Sequence, residues 1–350
     1  MALQWKQFSG KWNLQTQGQA KADNAWPGSV LDTMYAWGLN TSGKLGLGDT
    51  TARSSPTQIG TEEDWTGPFF QTRANASFFV KGNGFFSTGL DSTGSLGLGT
   101  TGSKSSPSQI GTETGWTKVA QGETPSYGIR DGKFFAWGSN AGGQLGVNDT
   151  DNRSSPTQVG ALTTWTSCGA VDNAAAGITA GKLYTWGSDD GYGLLGKGTA
   201  TSGISSPVQV GALTDWAKIN GGKQFFIAVK TDGTLWGWGR SANGELGLGN
   251  TTTYSSPVQV GALTNWADVS CGKNHAIGLK TDSTLWAWGS NGSGRLGVGD
   301  TTNRSSPVQV GVLTTWIKSG AGETTSAAQL TSKVLYVWGN LSGGQAGDSG

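Results

Sequence analysis

Short apolar runs broken by polar turn signals recur along most of the chain. The unit after Trp266 shows the plan: Trp-Ala-Asp-Val-Ser-Cys-Gly, then His275-Ala-Ile-Gly-Leu-Lys, then the turn Thr281-Asp-Ser-Thr, then Leu285-Trp-Ala-Trp-Gly. Apolar runs of strand length broken by Asp-Ser, or by Asp232-Gly233 in the preceding unit, predict antiparallel strands joined by tight hairpins. Trp236 and Trp238 are two residues apart and share one strand face. The Asn-x-x-Gly-x-Leu-Gly stretch that follows is a turn region, because glycine takes backbone angles that other residues resist. No segment holds a sustained helical apolar period with caps, so little helix is expected.

The plan repeats at a fixed interval. Ser-Ser-Pro occurs with prolines at Pro56, Pro107, Pro156, Pro207, Pro257 and Pro307, spaced 49 to 51 residues apart, and a tryptophan follows each by nine residues: Trp65, Trp116, Trp165, Trp216, Trp266 and Trp316. Trp-Gly recurs at Trp37, Trp137, Trp186, Trp238, Trp288 and Trp338, and a degenerate Thr88-Gly89 fills the gap. About eight residues on comes Leu-Gly or a variant, at Leu45, Leu96, Leu145, Leu195, Leu246, Leu296 and Ala346. A unit of about four short strands cannot bury both sheet faces alone, whereas radial stacking buries them against each other. Seven such units predict an all-β fold: a closed seven-bladed β-propeller, one domain over residues 1–350.

With these landmarks in register, the chain resembles the regulator of chromosome condensation repeat family over about residues 29–350. The resemblance implies a seven-bladed propeller and suggests a bacterial or bacteriophage-type member. The best-known member is a nuclear guanine-nucleotide exchange factor that binds chromatin, and relatives include a bacterial inhibitor that covers β-lactamase active sites. Fold does not carry function. This chain has no basic tail, and no repeat holds an insertion matching an exchange wedge, so the exchange-factor reading is not favoured.

Composition agrees with a packed protein: 60 glycines suggest low complexity, but 17 tryptophans need burial. Charge is nearly balanced, 24 Lys and Arg against 23 Asp and Glu, which is no footprint for nucleic acid. Neither an apolar leader at residues 1–10 nor a membrane-spanning run is present, so no membrane insertion is expected, and the protein is placed in a virion, or in the cytoplasm if cellular. Cys168 and Cys271, each before a glycine in non-adjacent repeats, read as small buried apolar residues.

Catalytic chemistry finds little support. His275, the single histidine, sits at a repeat position that Phe225 and Thr325 occupy in neighbouring units, with no orienting partner in the sequence. Asp49, Asp149 and Asp300 recur after Leu-Gly and read as turn residues that bond nearby amides. Asp189-Asp190-Gly191-Tyr192-Gly193 departs from the repeat but lacks the spacing of a calcium loop, so it reads as a surface loop. No cofactor, metal site or enzymatic activity is expected.

The breaks in the repeat are where a partner is sought. Trp12 and Trp26 lie in an N-terminal insertion at about residues 11–28, and Phe69 and Phe70 belong to an irregular second unit. With Asp189, Asp190 and Tyr192 they form the candidate contact set, aromatic anchors being favoured at interfaces. The expected role is a non-catalytic scaffold for a protein partner, bacteriophage virion proteins among the candidates. The alternative is a soluble regulator that covers an enzyme or small GTPase with one propeller face.

Overall fold

The computed structural model describes residues 34–61, 65–69, 76–81, 83–199, 202–340 and 342, and every regular element in them is a β-strand. Strands β1 (Tyr35–Gly38) and β2 (Arg53–Gln58) pair as a two-stranded ribbon. Blade A holds β3 (Trp65–Phe69), β4 (Ala76–Lys81), β5 (Gly84–Gly89) and β6 (Lys104–Gln109). Blade B holds β7 (Trp116–Gln121), β8 (Pro125–Arg130), β9 (Lys133–Gly138) and β10 (Arg153–Gln158). Blade C holds β11 (Trp165–Ala170), β12 (Ala174–Thr179), β13 (Lys182–Gly187) and β14 (Ile204–Gln209). Blade D holds β15 (Trp216–Gly221), β16 (Phe225–Lys230), β17 (Leu235–Gly239) and β18 (Tyr254–Gln259). Blade E holds β19 (Trp266–Cys271), β20 (His275–Lys280), β21 (Leu285–Gly289) and β22 (Arg304–Gln309). Blade F has three strands, β23 (Trp316–Ala321), β24 (Thr325–Leu330) and β25 (Leu335–Gly339).

The expected closed ring of seven blades is therefore corrected to six blades and a ribbon among the described residues. The ribbon packs on blade A, with Met34, Ala36 and Ile59 against Trp65 and Phe79, but two strands do not make a blade. The repeat plan assigns the other strands of that unit to the sequence before residue 34, outside the described residues.

Within a blade all neighbours are antiparallel, and the first strand lies against the first strand of the next blade. Ser167 Oγ accepts from the Ile219 amide at 3.3 Å, Asn220 Oδ1 from the Cys271 amide at 3.3 Å, and Ser270 Oγ from the Ala321 amide at 3.0 Å. The Ser-Ser-Pro strand is outermost, where a residue without an N–H is tolerated and also blunts the free edge. In blade E the ladder skips Pro307, passing from Ala287 opposite Val308 to Gly289 opposite Arg304.

The core lies between blades, in layers contributed by both neighbours. Phe225, Ile227, Leu235 and Leu246 of blade D meet Trp266, Cys271, Ala276 and Trp288 of blade E, all buried. The Trp-Gly tryptophans also fix the blade spacing, because each indole N–H reaches the preceding blade's loop. Trp137 donates to Ser95 O (2.9 Å), Trp238 to Leu194 O (2.9 Å), Trp288 to Glu245 O (2.8 Å) and Trp338 to Arg295 O (2.9 Å). At the degenerate site, Thr88 Oγ1 lies 2.6 Å from Lys104 O and 3.0 Å from Gly43 O, so its single proton goes to Lys104 O or is shared, and the hydroxyl touches the preceding loop where the indole is lost. Trp186 is the exception: Tyr127 Oη occupies Gln144 O at 2.8 Å, and the Trp186 N–H is buried without a partner.

The glycine after each tryptophan is sterically required. Gly289 has φ +97°, and a Cβ there would lie 2.7 Å from Asn274 O. Both cysteines are free and buried, and burial pushes the Cys168 thiol up to about 12.

Candidate interaction surface

The strand plan sorts the loops onto two ends. One end carries the hairpins between first and second strands together with the Asn-x-x-Gly-x-Leu-Gly loops, as in the bonds from Ser188 N to Asn173 O and from Arg240 N to Gln224 O, both 2.8 Å. The other end carries the hairpins between second and third strands together with the connectors that lead to the next blade, joined by bonds such as Thr231 N to Asp215 O (2.8 Å) and Thr281 N to Asn265 O (2.9 Å).

The hairpin end carries exposed Leu39 and Leu90, each 41% exposed, but from blade B onward it is polar and tied together. The Glu123 amide donates to Asp172 O (3.3 Å), the Asp172 amide to Lys223 O (3.0 Å), and the Lys223 amide to Lys273 O (2.9 Å), after which the Lys273 ammonium pairs with the Glu323 carboxylate. Glu323 also acts on Lys44: burial lowers that ammonium's pKa and Glu323 raises it, so the loop after β1 and blade F lie within electrostatic reach. His275 begins β20 on this end and is completely buried. Its Nε2 lies 2.9 Å from Ser326 Oγ, whose own proton goes to Arg295 O at 2.7 Å, so Nε2 carries the proton and Ser326 accepts it. Nδ1 has no partner. Burial, then the positive charge of Arg295, lowers the His275 pKa to about 3. The imidazole is thus a neutral element of the blade E–F junction.

The recurrent aspartates belong to their loops. Asp49, Asp149 and Asp300 each accept the amide two residues on, and each pairs with Arg53, Arg153 or Arg304. Arg53, then the Thr51 amide, holds the Asp49 carboxyl below its usual range, and the Thr302 amide, then Arg304, does the same for Asp300.

The connector end has a different surface. Leu162, Leu213 and Leu263 occupy the same place in successive connectors and are 45%, 45% and 47% exposed; in the next connector the matching Leu313 is half-buried against the core, and Val312, in the place of the usual alanine, is 84% exposed, with nearby Ile317 at 43%. Single exposed apolar side chains are ordinary; their recurrence at four successive blade junctions on one end is what singles these out as candidate contact residues. The connectors into blades A and B read Gly60-Thr-Glu-Glu-Asp and Gly111-Thr-Glu-Thr-Gly, without a leucine. Sequence reading passed over these residues because Ala-Leu-Thr belongs to the repeat. Its replacement by Thr-Glu in two of the six connectors was the available signal.

The structure separates the candidate contact set. Asp189 is buried and its Oδ1 accepts the Leu195 amide at 3.0 Å, the role that Asn140 and Asn291 play for Leu145 and Leu296. Asp190 is exposed on the hairpin end and accepts from Ser188 Oγ (2.6 Å) and Asn173 Nδ2 (3.1 Å). Tyr192 packs on the core between blades C and D, with the Arg240 guanidinium 5.8 Å above its ring. Phe69 lies in β3 opposite Phe78. Trp12, Trp26 and Phe70 lie outside the described residues. Among the described residues, no three His, Cys, Asp or Glu side chains converge as a metal-binding group, and no helix is long and apolar enough to cross a membrane.

The regulator of chromosome condensation repeat model matches residues 32–68, 131–175, 232–279 and 282–329, just over half of the chain, and a second model of the same repeat matches 216–245 and 266–295. The chain belongs to this repeat family. In three dimensions it is similar to human WBSCR16, with a TM-score of 0.74 and 20% identity over 85% of this chain and 81% of the other. It is also similar to Prp20p from Saccharomyces cerevisiae, described with its binding to Gsp1p and histones: TM-score 0.78 and 18% identity over 91% of this chain and 83% of Prp20p. Yeast RCC1 (Prp20) bound to Kap60 aligns over 99% of this chain and 87% of its own, with a TM-score of 0.78 and 17% identity. At such identities these likenesses speak for the fold. No curated protein sequence matches the chain.

Proposed function

We propose that this chain is a single-domain, non-catalytic β-propeller scaffold that binds a protein partner through the connector end of blades C to F. The observation that carries the reading is the series Leu162, Leu213, Leu263 and Val312, exposed at four successive junctions on one end. Protein-binding relatives of the same fold, Prp20p among them, support a protein as partner. The finer reading, a bacteriophage or other virion component, draws on the uniformity of the repeats. A soluble regulator that covers an enzyme or small GTPase is the alternative.

The test replaces the four side chains by serine in the endogenous gene and compares native assemblies by size. Loss of the wild-type assembly with an unchanged melting temperature supports the reading, and an unaltered assembly overturns it. A multi-megadalton wild-type particle assigns the virion role, whereas a one-to-one complex with an enzyme assigns the regulator.

A further inference from the structure

At five successive junctions, from the ribbon through blade E, the glycine-rich loop of one unit seats the outermost strand of the next. A Cβ on Gly94 of blade A would lie 2.4 Å from the Ser154 Cα of β10, and one on Gly244 of blade D would lie 2.4 Å from the Ser305 Cα of β22. Gly43, Gly143 and Gly193 meet the first serine of Ser-Ser-Pro in the same way. Five residues further on, the loop amide donates to that serine's carbonyl, as from Gly99 to Ser154 O and from Gly249 to Ser305 O, both 2.7 Å. A glycine is needed for so close an approach of two backbones. At its other end the outer strand is pinned by the apolar residue after glutamine: Val310 is buried, and its amide donates to Leu285 O at 2.7 Å.

At the junction of blades E and F the seat is built, but among the described residues no strand lies in it. Gly294 (φ +70°) and Gly299 (φ +88°) correspond to Gly244 and Gly249, and a Cβ on either would meet no described atom within 4 Å. Gly294, Arg295 and Gly297 are partly exposed, whereas Gly244, Glu245 and Gly247 are buried. Across the slot, β25 pairs only with β24 among the described residues. Trp338, whose indole crosses to Arg295 O, is partly exposed where Trp288 is fully buried. By the register of blade E, Leu335 and Val337 turn their backbone groups to the open side, as Leu285 and Ala287 turn theirs to β22. The six Ser-Ser-Pro segments of the sequence all lie in outer strands already paired within their own sheets.

We propose that the slot between the loop at residues 291–300 and β25 is a strand-docking site, which takes an extended Ser-Ser-Pro-x-Gln-Val segment from another polypeptide. The five filled slots specify the occupant. It runs antiparallel to β25, sets its first serine on Gly294 and that serine's carbonyl on the Gly299 amide, and gives the amide of its last apolar residue to Leu335 O. Main-chain hydrogen bonds supply affinity, and the glycine seat, which has room for a small side chain, supplies selectivity. Filling the edge also removes a template for unspecific strand pairing. The site does not rest on the connector-end reading above, and replacing the exposed connector side chains by serine should leave it intact.

Fluorescence anisotropy with a labelled peptide of residues 302–311, Thr-Asn-Arg-Ser-Ser-Pro-Val-Gln-Val-Gly, decides it, with a scrambled peptide as reference. Saturable one-to-one binding is expected, together with slower hydrogen exchange at the Val337 amide. Gly294→Asn keeps a left-handed backbone that asparagine tolerates but puts a side chain into the seat, and should weaken binding by at least about tenfold. Gly292→Asn, at an exposed position of the same loop, should leave binding unchanged. If Gly294→Asn does not fold, Ser305→Val in the peptide tests the same contact and should also weaken binding by about tenfold or more. Absence of saturable binding overturns the proposal, because the slot is then closed by the chain itself or takes no strand. Equal binding of the scrambled peptide overturns it as well, as does binding that neither Gly294→Asn nor Ser305→Val weakens.

Discussion

Blades E and F are written to the same plan, Trp, two short apolar strands and Trp-Gly, yet they are buried differently. In β21, Trp288 is fully buried, flanked by buried Ala287 and Gly289; in β25, Val337, Trp338 and Gly339 are all partly exposed. Both tryptophans make the same bond to the preceding loop, at 2.8 and 2.9 Å. What differs is the cover: β22 shields β21, whereas blade F has three strands among the described residues. The motif thus sets the hydrogen bond, and the surrounding strands set how much apolar surface it buries.

The strongest way to break this comparison is to truncate both rings. Trp288→Ala should cost about 3–5 kcal/mol, because it leaves a cavity among Leu246, Val260 and Trp266, while Trp338→Ala should cost roughly half as much, its ring already meeting solvent. Urea unfolding of the two variants measures this, and equal losses would show that the shared bond outweighs burial.

The junction between the two blades supplies a pH test. The folded-state pKa of His275, about 3, lies below the ordinary value of 6.5, so between these values the unfolded chain binds the extra proton. The stability held by neutral His275 is complete above about pH 6.5 and is lost as the pH falls toward 3, up to about 5 kcal/mol in all. His275→Phe, which copies Phe225, should flatten that part of the pH–stability curve. A curve of unchanged slope would place the acid sensitivity elsewhere.

Much of this architecture was legible in advance, since strand order, hairpin turns and the Trp-Gly and Leu-Gly landmarks follow from local spacing. The aspartates after Leu-Gly were read correctly as turn residues for the same reason: their partners lie within a few residues. The blade count was not secured, because a repeat landmark such as Trp37 marks one strand and does not show that a full sheet is built around it. Asp189 was read as a surface residue because its loop departs from the repeat, yet it does the work of the usual asparagine and is buried. The exposed connector leucines were missed because each is unremarkable in its own repeat. The difference in charge between blades D and E, Asp215 in one and Asn265 in the other, shows only when the two are laid side by side.

The smallest effect extends the comparison to blade E's other neighbour. Asp215→Asn turns the blade D junction into that of blade E, leaving Lys230 buried over Trp216 and Trp236 without its carboxylate. Asp215 is itself 39% exposed, so solvent screens the pair and the loss should be about 1 kcal/mol rather than the larger penalty of a fully buried pair. Urea unfolding of the variant measures this. A loss of several kcal/mol would show that the pair is shielded from solvent after all, and no loss would show that the two rings hold Lys230 in blade D as Trp266 and Trp286 hold Lys280 in blade E.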